Sequence, residues 1–175
     1  EDIGFNMSLS TLRNRFLKND NFRFQQIGGR LYYFQKIEND SSVKPIYVAV
    51  RDTEPEEEAM MEKLNLPNIS VADIKKIKIA GAVEQIKEHL SDCDYVYISF
   101  DVDSMDPDKV SMGTGTPVKG GLTLTQAKDL IKGIIKEVPN VHYFECTEVN
   151  PLLDDKKNTM AESAYEIIQL VDSIL

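Results

Sequence analysis

Tyr95-Val-Tyr-Ile-Ser-Phe100-Asp101-Val-Asp103 is the stretch on which the fold turns. Its first six residues are β-branched or aromatic except for Ser99, the composition of a strand. The near-continuous apolar character is that expected of a strand covered on both faces, as in a parallel sheet. Two further runs of the same kind are Ile46–Val50 and Val141–Val149. Helical patterns separate them. Ala127, Leu130, Ile131, Ile134, Ile135 and Val138 recur on one helical face, Thr123 and Gln126 have capping-box spacing, and Pro139-Asn140 ends the run. Met160, Ala164, Ile167, Ile168, Val171, Ile174 and Leu175 share a face of a last helix, with Thr159 and Glu162 read as its capping box. A third helix is expected from about Ala80 to Leu90, with Val83, Ile86 and Leu90 inward, and a fourth from Pro55. Before residue 45 the pattern is less regular, and a helix over Ser8–Leu17 and a short strand over Leu31–Phe34 are expected. Strand–helix alternation predicts an α/β chain, a three-layer α/β/α arrangement with a mainly parallel sheet.

At 175 residues the chain is long enough for one domain with its own core. With 42% apolar and 28% charged residues it reads as a soluble globular protein. A formal net charge of −9 argues against nucleic acid or an anionic membrane as partner, since both require a basic face. Cys93 and Cys146 are the two cysteines; with no CxxC spacing and no disulfide pattern, a reducing, cytoplasmic location is expected. Neither a signal peptide nor a transmembrane run is legible, and because Glu1 rather than methionine comes first, the chain is expected to begin inside a longer protein.

In an open parallel sheet, ligands bind beyond the carboxyl ends of the strands. Arg51-Asp-Thr-Glu54 follows the first run, Asp101 and Asp103 follow the second, and Glu148 stands near the end of the third. All three predicted strand ends therefore carry carboxylates. If the backbone stays extended, Asp101 and Asp103 point to one face. Paired carboxylates there repel and are costly to desolvate, so they call for a proton, an arginine or a cation. A divalent ion with oxygen ligands, Mg²⁺ or Mn²⁺, is the simplest solution; the alternative is a solvated turn that caps the loop to Asp106-Pro107.

Asp101-Val-Asp103-Ser-Met-Asp106-Pro107 and Gly113-Thr-Gly-Thr-Pro-Val-Lys-Gly-Gly-Leu-Thr123 resemble the ureohydrolase signature of the arginase and agmatinase family. The resemblance continues at Glu148-Val-Asn-Pro151, with Leu153-Asp154 and Asn158 after it, and reaches upstream to Val50-Arg-Asp-Thr-Glu-Pro-Glu56, so it covers about residues 45–175. It implies a single arginase-like domain over 1–175 without its N-terminal part, and hydrolysis of a guanidino compound with two Mn²⁺ ions, foremost arginine to ornithine and urea, in a homo-oligomer. Agmatine and formimidoylglutamate are the alternative substrates. Asp101 matches the carboxylate that bridges two manganese ions, and Asp103 a ligand of one of them. Glu148 matches the carboxylate that pairs with the substrate guanidinium, and Thr116 a threonine lining the guanidinium pocket. Glu54 falls where arginases place an aspartate that recognises the substrate amino group, one methylene longer here. The physics agrees, since a carboxylate meets a guanidinium in a two-point fork and two cations can acidify a shared water.

The departures concern histidine. The family's other metal ligands come from an earlier Asp-x-His-x-Asp motif and an earlier histidine, and neither occurs in these residues. His89 is expected on the wet face of its helix, and His142 at the start of a strand, away from the site; both read as structural. By itself the chain is therefore expected to be inactive. Two other readings compete. One is a non-catalytic relative that keeps the fold as an interaction subunit. The other is a haloacid-dehalogenase-like phosphohydrolase, for which Asp101 and Asp103 would be nucleophile and acid, although Lys156 follows Asp154-Asp155 in the reverse of the order it requires.

Overall fold

The computed structural model describes residues 22–27, 30–35 and 44–175. Two compact units divide the chain, Glu1–Val43 and Lys44–Leu175. In the first, β1 (Phe22–Ile27) pairs antiparallel with β2 (Arg30–Gln35), Ile27 opposite Arg30. The expected strand over Leu31–Phe34 thus lies inside β2, while the helix expected over Ser8–Leu17 falls outside the described residues.

In the second unit β3 (Tyr47–Val48), α1 (Pro55–Lys63), β4 (Asn68–Ile69), α2 (Val71–His89) and β5 (Val96–Asp101) come first. A short 3-10 turn (Val102–Ser104), α3 (Leu124–Glu137), β6 (Val141–Thr147) and α4 (Thr159–Asp172) follow. The fold is α/β with parallel strand pairs, β3 beside β4 and β5 beside β6. The three expected strands do not form one hydrogen-bonded sheet among the described residues, because β3 pairs with β4 instead. Two residues into β3, Ala49 turns to φ 62°, a left-handed conformation that ends the strand before Val50. Similarly, β6 stops at Thr147 because Glu148 has φ 64°.

Burial alternates along β5: Val96 and Phe100 are buried and Ile98 partly so, whereas Tyr97 is 56% exposed. The apolar run predicts a strand covered on both faces. Here the described helices build one core with the Val96–Phe100 face, and the face of Tyr97, Ser99, Tyr143 and Glu145 stays open, so the second helix layer is not supplied by the described residues. The core joins Val83 and Ile86 of α2, Leu130, Ile131 and Ile134 of α3, and Met160, Ala164 and Ile167 of α4.

Helix α3 forms as expected, with Thr123 Oγ1 accepting from the Gln126 amide and Gln126 Oε1 from the Thr123 amide. Pro at the first position opens α1. Helix α2 is longer than expected. It consists of two helical segments joined at Lys78 (φ 65°, ψ 170°), and the sequence reading from Ala80 found the second. The first segment starts from a Ser70–Asp73 capping box. At α4 the Thr159–Glu162 capping box is corrected. Thr159 is already inside the helix, after left-handed Asn158, and the free amides are taken by the aspartates upstream. Asp155 Oδ1 accepts from Thr159 N at 3.0 Å, Asp154 Oδ1 from Met160 N at 3.2 Å, and Asp154 Oδ2 from Ala161 N at 3.0 Å.

Ile167 is fully buried among these helices. Ile167→Ala should lower the unfolding free energy by about 2–5 kcal/mol, the usual cost of emptying a packed aliphatic site. Urea denaturation of the two proteins measures it, and a loss under about 0.5 kcal/mol would show that the α4 face is not core.

Candidate functional site

Strand β5 delivers Asp101 to its carboxyl end, and the chain then turns. Asp101 Oδ1 accepts from the Asp103 amide at 2.8 Å and so caps the 3-10 turn. The expected alternation, with both side chains on one face of an extended strand, is therefore replaced by a turn. The carboxylates nonetheless remain electrostatic neighbours. Burial pushes the Asp101 carboxyl above its ordinary value; the Asp103 amide opposes this, the charges of Asp103 and Glu148 add to it, and Arg51 lowers it.

Asp103 is held by the signature loop. Its Oδ1 accepts from the hydroxyl of Thr114, a buried residue, and its Oδ2 from Thr116 Oγ1 at 2.6 Å. The loop is closed at its base. Leu122 N donates to Ser104 O at 2.9 Å and Asp106 N to Leu122 O at 2.8 Å. So close an approach requires Gly121, where a Cβ would come within 2.6 Å of Met105 C and Ser104 O. Further along, Gly113 lies against Met160 and Asp154, 2.6 and 2.7 Å from where its Cβ would sit. Gly113 O accepts from Asn150 N at 2.8 Å, which ties the loop to the chain leaving β6.

Glu148 stands on that departing chain, exposed, in the left-handed conformation that few non-glycine residues adopt. Its Oε2 borders Gly115, 3.7 Å from the position of a Cβ there. The structure therefore brings Asp101, Asp103, Thr116 and Glu148 together. Glu54 is placed differently: it is exposed at the start of α1, where its amide donates to Glu57 Oε2 at 2.9 Å. Sequence reasoning gave no role to Thr114 or Arg51. Thr114 could have been found from its place between Gly113 and Gly115 in the signature.

His142 is exposed at the start of β6, with Nδ1 2.6 Å from Asn140 O. His89 is not on a wet face: it is half-buried, and its Nε2 is buried without a hydrogen-bond partner. Among the described residues no group of three or more His, Cys, Asp or Glu side chains is arranged to hold a metal ion. The donor chemistry nevertheless fits a hard divalent cation. Asp101 and Asp103 offer oxygens only, the Asp101 carboxyl is pushed up by its surroundings, and the Asp103 oxygens keep lone pairs beyond those the threonines use.

A family model described as Arginase family matches residues 28–171. The chain belongs to the arginase family. It is 33% identical over 124 residues to an arginase of Coccidioides immitis, covering 69% of this chain and 38% of that protein. Among solved structures, the Helicobacter pylori arginase superposes with a TM-score of 0.67 at 29% identity, over 72% of this chain and 42% of that one. A hypothetical agmatinase from Burkholderia thailandensis gives a TM-score of 0.63 at 25% identity, over 74% and 38%. The chain thus spans about two-fifths of the length of these relatives. Arginase-family membership replaces the phosphohydrolase reading of Asp101 and Asp103.

Asp154 secures the arginase-family loop to α4, accepting from Ser111 Oγ at 2.5 Å as well as from the helix amides. Burial pushes its carboxyl up, but the hydrogen bonds from Ser111 and from the Ala161, Met160 and Asp155 amides outweigh it and hold the carboxyl below its ordinary value. A depressed carboxyl stabilises the fold above its unfolded value, near pH ~4, and that contribution is lost as pH falls through the folded value. Asp154→Asn should therefore cost about 1–2 kcal/mol at pH 7, the size of a lost helix cap, and the gap should close toward pH 3. Unfolding curves of both proteins at the two pH values check this; a gap unchanged by pH would contradict it.

Proposed function

We propose that the whole protein is a manganese-dependent ureohydrolase that converts arginine to ornithine and urea. The observation that carries this reading is the meeting of Asp101, Asp103 and Glu148 at the Gly113–Thr116 loop, at the carboxyl end of β5. Asp101 and Asp103 would hold Mn²⁺, oxygen donors suited to a hard cation. When bound, such ions acidify a water, so that a nucleophile is present near neutral pH. The histidine ligands that the family resemblance implies have no counterpart here, where His89 and His142 are the only histidines.

The chain's own residues supply the substrate side. Glu148 is exposed and borders Gly115, which has no side chain to block a flat group. A carboxylate so placed accepts two parallel N–H bonds from a guanidinium and fixes its plane. Thr116 donates its hydroxyl hydrogen to Asp103. Its oxygen lone pairs are thereby left to accept from the substrate. Glu54, exposed at the start of α1, is the proposed partner of the substrate ammonium. Agmatine carries a guanidinium and an amine as well, and is the second substrate to test.

Glu148→Gln should cut urea release by about ten-fold to over a hundred-fold, since each charge-assisted bond contributes roughly 1.5–3 kcal/mol. Manganese content should stay unchanged. Urea release, metal content and melting temperature are measured on one preparation, with arginine and with agmatine. If Glu148 only holds the end of β6, the melting temperature falls while urea release per folded molecule persists, and the proposed role fails.

A further inference from the structure

Arg51 follows the tip of β3 and takes part in no described ion pair. Every described hydrogen bond of its half-buried guanidinium goes to a main-chain carbonyl. Nη1 donates to Ala49 O and Ser104 O, each at 3.0 Å. Nη2 donates to Val118 O at 3.0 Å and to Asp103 O. Its Nε is buried and has no partner, a cost that the other four bonds offset. An arginine that only needed solvation would not be bound this way.

The four carbonyls belong to three segments: the end of β3, the turn that follows β5, and the far limb of the signature loop. Ser104 O receives Leu122 N on one side and Arg51 on the other. Asp103 O and Val118 O share one nitrogen, so the turn bearing Asp103 and the loop limb beyond Thr116 are held at a fixed separation. Thr114 and Thr116, which orient the Asp103 carboxylate, lie on the loop between these two anchors. A planar fork of donors serves all four carbonyls at once; an ammonium has three donors on a flexible stem and carries the same charge without that geometry.

We infer that Arg51 is a positioning residue, which clamps the Asp103 turn to the signature loop and so presents the Asp103 carboxylate for the ligand and substrate chemistry of the site. The inference rests on the ureohydrolase reading for what the carboxylate does, but not for how it is held. Its closest competitor is a purely structural role, in which Arg51 adds stability and nothing more.

Arg51→Lys and Arg51→Ala in the whole protein separate the two. Hydrogen exchange is followed at the Asp106 and Leu122 amides, which close the loop base, against amides of α4 as an internal reference. Mn²⁺ affinity is measured by calorimetry, and kcat and KM with arginine at saturating Mn²⁺. Arg51→Lys should melt within a few degrees of wild type and keep the α4 amides protected. It should nonetheless lose ten-fold or more of the protection at Asp106 and Leu122, bind Mn²⁺ at least ten-fold more weakly, and lower kcat more than it raises KM. Arg51→Ala should show the same losses, so that keeping the charge in Arg51→Lys restores nothing. Wild-type loop exchange and wild-type Mn²⁺ affinity in a folded Arg51→Lys protein would overturn the inference. If the wild type takes up no Mn²⁺ and releases no urea, the ureohydrolase reading fails, and loop exchange by itself decides the role of Arg51.

Discussion

Like charges gathered at the end of a strand repel, and each must also give up part of its water. That constraint governs the end of β5, where burial first, and then the charges of Asp103 and Glu148, push the Asp101 carboxyl up. Arg51 lowers Asp101, yet among the described residues its hydrogen bonds go to carbonyls rather than to any of the carboxylates. Among the described residues the group is left with surplus negative charge. Such an arrangement is unfavourable by itself, and the proposed cation at Asp101 and Asp103 and guanidinium at Glu148 would relieve it.

The remaining architecture keeps these carboxylates from relaxing apart. Asp103 is bound by two threonine hydroxyls from the loop, and the loop is bound at its base by the Ser104–Leu122 pairing and at its middle by Asn150 N on Gly113 O. Close approach makes this possible: Gly121 admits Ser104 and Met105, and Gly113 admits Met160 and Asp154. Asp154 then joins the loop, through Ser111, to the first turn of α4. The strain of the left-handed Glu148 is borne by the same contacts, and it turns the carboxylate toward Gly115 instead of letting β6 continue.

Side-chain periodicity made the helices legible. The body of α3 and its Thr123–Gln126 cap follow from spacing alone, and so do Met160, Ala164, Ile167 and Val171 on the buried face of α4, whereas Ile168 and Leu175, expected on that face, are exposed. The cap of α4 was not legible, because the accepting carboxylates come from Asp154 and Asp155 in the preceding loop rather than from the residues at helix spacing. Strand extents misled where single residues turn left-handed, as at Ala49 and Glu148, and the Lys78 break hid the first half of α2. Apolar character in β5 suggested two covered faces, but Tyr97 is amphipathic and can stand exposed, with its hydroxyl available to Glu145. In the site, the carboxylates were legible from their place at the strand ends. Arg51 was not, since its partners are carbonyls and leave no trace in side-chain identity.

The central claim is that Asp101 and Asp103 form the protein's cation site. Crystals of the whole protein grown with Mn²⁺, with anomalous scattering recorded on both sides of the manganese absorption edge, test it most directly. The account predicts anomalous density within coordination distance of both the Asp101 and the Asp103 carboxylates, lost in crystals of Asp101→Asn. Manganese density that avoids both carboxylates, or none at all at saturating Mn²⁺, would contradict it.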